Sequence, residues 1–469
     1  MTEDLSAALH AHVSARGTQA PGLSDLRSRR VRSSVRNRRL LRAAAATSGA
    51  LAAVGGIAFG AAYATDHGFL GAAPASSPSA SPSGSPNPSA TALPSPTGTP
   101  DPGPTTLPSP TSTPAPNPSF SPTRLPPPTI AAFAHSCVVR EEGTVSCWGE
   151  NGSGQLGDGT TTDRSTPVTV AGVTDAVAIA VGAGHSCALH GDGTVSCWGG
   201  GKLGDGTTTD RSIRVTVVGL TGVVGIAAGA GHTCAVHGDG TVSCWGWNDR
   251  GQLGDGTTTD RLTPVKVVGV TGVVEIAAGG RHSCALHGDG TVSCWGDTYL
   301  GQLGGGYNNL PPVTVIGLAD AVGIAAGHHH SCALHSDGTV SCWGGNYSSQ
   351  LGDGTQTNRY TAVKVVLLTD AVEIRAGEGH TCARHGDGTV SCWGMNEFGR
   401  LGDGTTTDRS YPVKVVGLTD VEEIAPGNYS SCALHGDGTV SCWGRNWLGG
   451  LGNGTTTDSS TPVKVIGMG

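Results

Sequence analysis

The chain has 469 residues, with 76 glycines, 4% aromatic and 14% charged residues. Glycine this abundant without a collagen period implies many turns between short strands, or low complexity. Charge is segregated: residues 1–42 carry nine arginines against Glu3, Asp4 and Asp25, whereas residues 129–469 hold 18 Lys plus Arg against 31 Asp plus Glu, a net of −13. An acidic body of this kind argues against a nucleic-acid partner, which would need a basic face.

In chain order, the basic leader 1–42 runs into an uncharged, Ala- and Gly-rich stretch, residues 43–64. As a helix those 22 residues would span about 33 Å, enough for a hydrocarbon core of roughly 30 Å. The arginines on its N-terminal side assign that side to the cytoplasm. The expectation is an uncleaved, single-pass transmembrane anchor. A signal peptide is the alternative, because Ala62-Tyr63-Ala64 has the form of an A-x-A cleavage site. Both readings place the remainder outside the cytoplasm.

Residues 65–128 form a linker in which 19 of the 27 prolines fall between Pro74 and Pro128. Such Pro/Ser/Thr-rich sequence cannot bury enough apolar surface to offset its ordering entropy, so a disordered, extended stalk is expected. Its 55 residues from Pro74 could reach about 170 Å at about 3.1 Å each.

From Thr129 the chain repeats. The first cysteines of successive units are Cys137, Cys187, Cys234, Cys284, Cys332, Cys382 and Cys432, spaced 47 to 50 residues apart. A period of this length with short β patterns signals propeller blades. One unit reads Ile179-Ala-Val-Gly, His185-Ser-Cys-Ala-Leu-His, Gly-Asp-Gly, Thr194-Val-Ser-Cys-Trp-Gly; the second part is clearest at Gly251-Gln-Leu-Gly-Asp-Gly and Pro264-Val-Lys-Val-Val-Gly. These motifs resemble the regulator-of-chromosome-condensation repeat, with local departures at Cys137-Val-Val, Glu141-Glu-Gly and Ser430.

The resemblance implies an all-β fold, a seven-bladed β-propeller of four-stranded blades over residues 129–469. Strand Thr129-Ile-Ala-Ala is expected to follow Pro462-Val-Lys-Val-Ile-Gly, closing the ring with both termini. The namesake's nucleotide exchange on a small GTPase depends on an inserted wedge, for which units of 47 to 50 residues leave no room. The plant ultraviolet photoreceptor of the same family uses Gly-Trp-Arg-His-Thr; here Gly279-Gly280-Arg281-His282-Ser283 lacks the light-absorbing Trp.

Within a blade, Gly191-Asp192-Gly193 is expected to join two strands as a three-residue hairpin, with Gly193 in the left-handed position. The register then sets Cys187 opposite Cys197 in a non-hydrogen-bonded pair, where side chains approach most closely. The same spacing recurs seven times. It predicts the disulfides Cys137–Cys147, Cys187–Cys197, Cys234–Cys244, Cys284–Cys294, Cys332–Cys342, Cys382–Cys392 and Cys432–Cys442. Bonds of this kind require an oxidising compartment. Structural zinc is the rival, but its ligands usually come as C-x2-4-C, and no C-x-x-C occurs.

Two sets of histidines recur, one headed by His135 and His185, the other by His190 and His237. Neighbouring blades set their members on the order of 10 Å apart, too far to share an ion, so hydrogen bonding rather than metal is expected. Leu156–Arg164 lacks the spacing of a known calcium loop and reads as an Asx-turn with an Asp–Arg pair. No asymmetric group of nucleophile, base and orienting residue stands out, so neither an enzyme nor a cofactor is expected.

Residues that differ between units carry the functional signal. After the Trp-Gly pairs come Trp247, Tyr299, Tyr347, Phe398 and Trp447; before the Ser/Thr-Cys pairs come Arg281, His328 and His329, Glu378, and Asn428 with Tyr429. In a four-stranded antiparallel blade both connections emerge on one side of the ring, and exposed aromatics on a rigid scaffold suit a binding surface. The alternative is that some of these aromatics cap the Trp of their own blade. The expected role is a monomeric, membrane-tethered binding module for a protein outside the cytoplasm, with cell-wall glycan as the alternative and GTPase regulation as a further one.

Overall fold

In the computed structural model, residues 129–305 and 310–468 are described. The leader, the apolar stretch and the Pro-rich linker expected over 1–128 lie outside them. No helix of the described residues is long and apolar enough to cross a membrane.

The hairpin sets the plan of every blade. Gly193, at φ 81°, closes a turn in which the His190 amide donates to the Thr194 carbonyl at 2.9 Å. Asp192 Oδ1 accepts from the Thr194 amide at 2.9 Å. From there Leu189 faces Val195, Ala188 faces Ser196, and Cys187 faces Cys197. Their Cα atoms are 4.1 Å apart, and the disulfide is formed. All seven expected pairs are bonded, and no free cysteine remains.

Each blade is an antiparallel sheet of four consecutive strands, and there are seven sheets. Blade 1 comprises β1 (Ile130–Ala132), β2 (His135–Val139), β3 (Val145–Gly149) and β4 (Arg164–Thr169). Blades 2 to 7 begin at Ala176, Val223, Val273, Ala321, Ala371 and Val421. The first strand of each lines the central axis and the fourth forms the rim.

The core consists of apolar layers between neighbouring blades. Cys137, Val145, Leu156 and Val170 of blade 1 pack against Ile179, Ala188 and Trp198 of blade 2, and this arrangement recurs around the ring. The repeated Leu-Gly owes its glycine to the tryptophan: a Cβ on Gly157 would lie 2.8 Å from Trp198 and from Val170. Every buried indole but that of Trp245 donates to the preceding blade, as where Trp198 Nε1 meets the Gln155 carbonyl at 2.9 Å.

The first histidine set links the blades. His135 Nε2 lies 2.7 Å from Ser186 Oγ of blade 2, and Ser186 itself donates to the Gln155 carbonyl at 3.0 Å. The serine proton is thus committed, so the imidazole must be the donor. The same latch runs from His185 to Thr233, His232 to Ser283, His282 to Ser331, His330 to Thr381 and His380 to Ser431, at 2.8–2.9 Å. Burial keeps these rings neutral: it lowers His135, His232 and His330 to about 3 and His185 to about 4.

Ring closure differs from the expectation. Blade 7 is completed by its own four strands, and β1 is hydrogen-bonded within blade 1. The two blades meet face to face, with Ile130, Val138 and Trp148 against Cys432, Val440, Leu451 and Val465. Ser430 stands where the other blades have histidine, so this seam lacks a latch; Thr129 donates instead to the Glu423 carboxylate from both its amide and its hydroxyl.

Candidate binding face

The connection between the third and fourth strands is organised by a buried asparagine. Asn151 Oδ1 accepts from the Leu156 amide at 2.9 Å, and Nδ2 donates to the Thr160 and Thr162 carbonyls at 3.2 and 3.0 Å. Asp158 accepts from the Thr160 amide and from Arg164, the latter at 2.7 Å, giving the expected Asx-turn and ion pair. Burial opposes ionisation of Asp158, but the bonds from Thr160 and Arg164 outweigh it and hold the carboxyl below its usual range. Asn248, Asn346, Asn396 and Asn446 repeat this role. The loop is thereby rigid while its neighbouring side chains stay free to vary.

These variable side chains gather on one side of the ring in three groups. In blades 3 and 4, Trp247 is about half exposed, with Lys202 Nζ 6.0 Å from its ring centre, and Arg281 pairs with Asp249 at 3.3 Å. In blade 5, His328 Nδ1 and His329 Nε2 are 2.9 Å apart, and His329 meets Tyr347 edge-on with centroids 6.1 Å apart. Tyr299 is 81% exposed and makes no ring contact with the others among the described residues.

The third group, over blades 6 and 7, is the most elaborate. Phe398 and Tyr429 meet edge-on at 6.3 Å. The Arg445 guanidinium lies 4.7 Å from the Phe398 ring centre, 5.1 Å from Tyr429 and 5.0 Å from Trp447. Beneath them the fully buried Arg400 side chain donates to the Asn428 carbonyl at 2.8 Å and sits 3.8 Å from Glu378. Burial raises the Glu378 carboxyl despite that arginine. Phe398 and Leu448 adopt φ 64° and 59°, a left-handed conformation disfavoured for large side chains.

Six of the seven buried tryptophans direct Nε1 to the Gln155, Gln252, Gln302, Gln350, Arg400 or Gly450 carbonyl, and Trp245 Nε1 makes no such bond. Arg445, Arg400 and Lys202 were not among the residues singled out from sequence. Arg445 occupies the variable position of Trp-Gly-x-Asn that Trp247 holds in blade 3, and Arg400 replaces the glutamine of Gly-Gln-Leu-Gly; both departures are visible in the sequence.

At the axis, the inner strands enclose a cavity of about 180 Å³ lined mainly by Ala, Val and Ile, with Glu275 and Arg375 among the lining residues. Arg375 lies 3.2 Å from Glu373, 3.8 Å from Glu275 and 3.9 Å from Glu423, joining blades 4, 6 and 7. Burial, only partly offset by Arg375, pushes the Glu275 carboxyl up to about 7.

A closed ring of seven four-stranded blades, built from a regulator-of-chromosome-condensation motif, defines a β-propeller of that type. The chain belongs to the RCC1-like domain family, whose profile matches residues 111–371; the RCC1 repeat is matched again at 371–400 and 387–434. Among solved structures, Prp20p from Saccharomyces cerevisiae is 23% identical, with a TM-score of 0.62 over 72% of this chain and 87% of that one. The yeast protein bound to Kap60 is 22% identical, with a TM-score of 0.64 over 77% and 90%. Human WBSCR16 is 22% identical, with a TM-score of 0.62 over 69% and 94%. At these identities the likeness is one of fold. No curated protein matches the sequence.

Proposed function

We propose that the ring is a non-catalytic binding module, held outside the cytoplasm on its stalk, that grips a protein partner through the face carrying Trp247, Tyr429 and Trp447. The observation that carries this reading is the cluster of half-exposed aromatics around Arg445 on adjacent blades. Aromatic and arginine side chains dominate binding hot spots, and a rigid scaffold lowers the entropy cost of presenting them. Seven disulfides support an oxidising, extracytoplasmic setting. The yeast relative is described as binding Gsp1p and histones and was solved with Kap60, so the fold is suited to gripping proteins.

The test compares capture of surface proteins from intact cells with capture of purified wall polymer, using the full chain. Trp247→Ala or Trp447→Ala is expected to weaken capture of a protein about 30-fold, from a loss of about 2 kcal/mol. Asp192→Ala and Asp239→Ala, in the turns on the opposite side, leave it unchanged. Capture of wall polymer alone would make the ring a glycan binder.

A further inference from the structure

Arg445 is an unusual surface cation. Its guanidinium rests among three aromatic rings at 4.7–5.1 Å, yet among the described residues no carboxylate lies within ion-pair distance of it. Five other arginines of the ring, Arg164, Arg211, Arg261, Arg359 and Arg409, each close on an aspartate of their own loop at 2.6–3.0 Å. A guanidinium held by aromatic rings rather than by a carboxylate leaves N–H donors available, and their planar fork matches a carboxylate bidentately.

A second cation lies just below. The Arg400 side chain is fully buried, with its centre 5.3 Å from the Tyr429 ring, and one of its nitrogens, Nη2, has no hydrogen-bond partner. The glutamate nearest that nitrogen, Glu397, stays 3.7 Å away and is 63% exposed. Two arginines thus share one aromatic platform without a close-fitting internal anion.

The neighbourhood also limits the charge of what binds. The hollow beside the platform, of about 550 Å³, is lined by Glu397, Asp408 and Asp458 together with Phe398, Thr406 and Ser460. Those acids would repel a polyanion, while Trp447, 64% exposed, offers apolar surface next to the cation.

We infer that the Arg445 platform recognises a single carboxylate flanked by an apolar side chain, presented by an extended peptide segment of the protein partner: the carboxylate bridges to Arg445 and the apolar neighbour lies on Trp447. This rests on the protein-binding role proposed above and names the chemistry of the ligand.

The experiment is a selection of displayed random peptides on the immobilised full chain, run in parallel on Arg445→Gln, Trp247→Ala and Asp192→Ala, with an array of uronate oligosaccharides alongside. Enriched peptides should share one Asp or Glu next to an aromatic or aliphatic residue. Synthetic copies should bind Arg445→Gln at least about tenfold more weakly, the worth of a hydrogen-bonded charge. Their glutamine or asparagine counterparts should lose binding to the same degree, and Asp192→Ala should bind them normally. Peptides without a carboxylate, peptides indifferent to Arg445→Gln, or no enrichment over that variant would each overturn the inference. Peptides lost on Trp247→Ala but kept on Arg445→Gln would spare the face and reject the arginine. Loss only on Asp192→Ala would reject the face itself, and binding confined to the uronates would replace peptide with glycan.

Discussion

Thr129 and Glu423, 294 residues apart in sequence, are joined by a 2.6 Å hydroxyl–carboxylate hydrogen bond and by two further bonds from the Thr129 amide. The contact stands at the one junction between blades without a histidine latch, so it carries a load there that the latches carry elsewhere. Thr129→Ala removes the short bond to a charged acceptor and is expected to cost about 1.5–3 kcal/mol. Amide exchange should accelerate selectively in Ile130–Ala132 and Val421–Pro426. An increase spread evenly over all blades would show that the seam is no weaker than the rest.

The six latch histidines make the ring acid-labile. Each has a folded pKa depressed by burial: to about 3 for His135, His232 and His330, to about 4 for His185, and well below the usual value for His282 and His380. The unfolded chain therefore binds protons that the folded ring cannot. Stability from this source is complete above about pH 6.5 and falls as pH drops towards about 3, by up to about 1.4 kcal/mol per pH unit for each histidine. Unfolding at pH 5 should take up several protons, most of them on the latch histidines, with His328 adding to the uptake and Glu275 opposing it. Calorimetry in buffers of different ionisation enthalpy measures this, and an uptake near one would mean that the latches charge in place.

Glu275 has the opposite sign. Its folded pKa, pushed up to about 7, lies above the unfolded value, so the penalty is absent below about pH 4.5 and grows as pH rises through 7. The full penalty is on the order of 3 kcal/mol. Glu275→Gln should raise the thermal midpoint at pH 8 and change it little at pH 5. A gain of equal size at both values would place the cause in packing rather than charge.

The disulfides can be tested one blade at a time. Replacing Cys284 and Cys294 together by alanine opens a short loop and should cost roughly 3 kcal/mol in the chain-entropy model. Mass mapping without reductant should return seven intrablade bridges and no alkylated cysteine in the native chain. Bridges between different blades would contradict the paired register.

Features confined to one hairpin or one loop were legible in the sequence. The Gly-Asp-Gly turn fixes which cysteines face each other, and Asp158 meets Arg164 only six residues away. Contacts that need the ring were not. The partner of His135 is Ser186, 51 positions on, and nothing local identifies it. The cluster around Arg375 draws on three blades. Thr129-Ile-Ala-Ala does reach blade 7, but it packs against that blade instead of joining its sheet, which already has four strands of its own. The grouping of Phe398, Tyr429 and Trp447 around Arg445 likewise spans two blades, and no local spacing links Arg445 to those rings.

Every disulfide in the ring closes within a single hairpin, ten positions from one cysteine to the other. A gene built this way can gain or lose a whole repeat by unequal recombination, and cysteines then enter or leave only as matched couples. No such event strands a reactive thiol or rewires an existing bond, so the number of blades is free to change without any cost in oxidative misfolding.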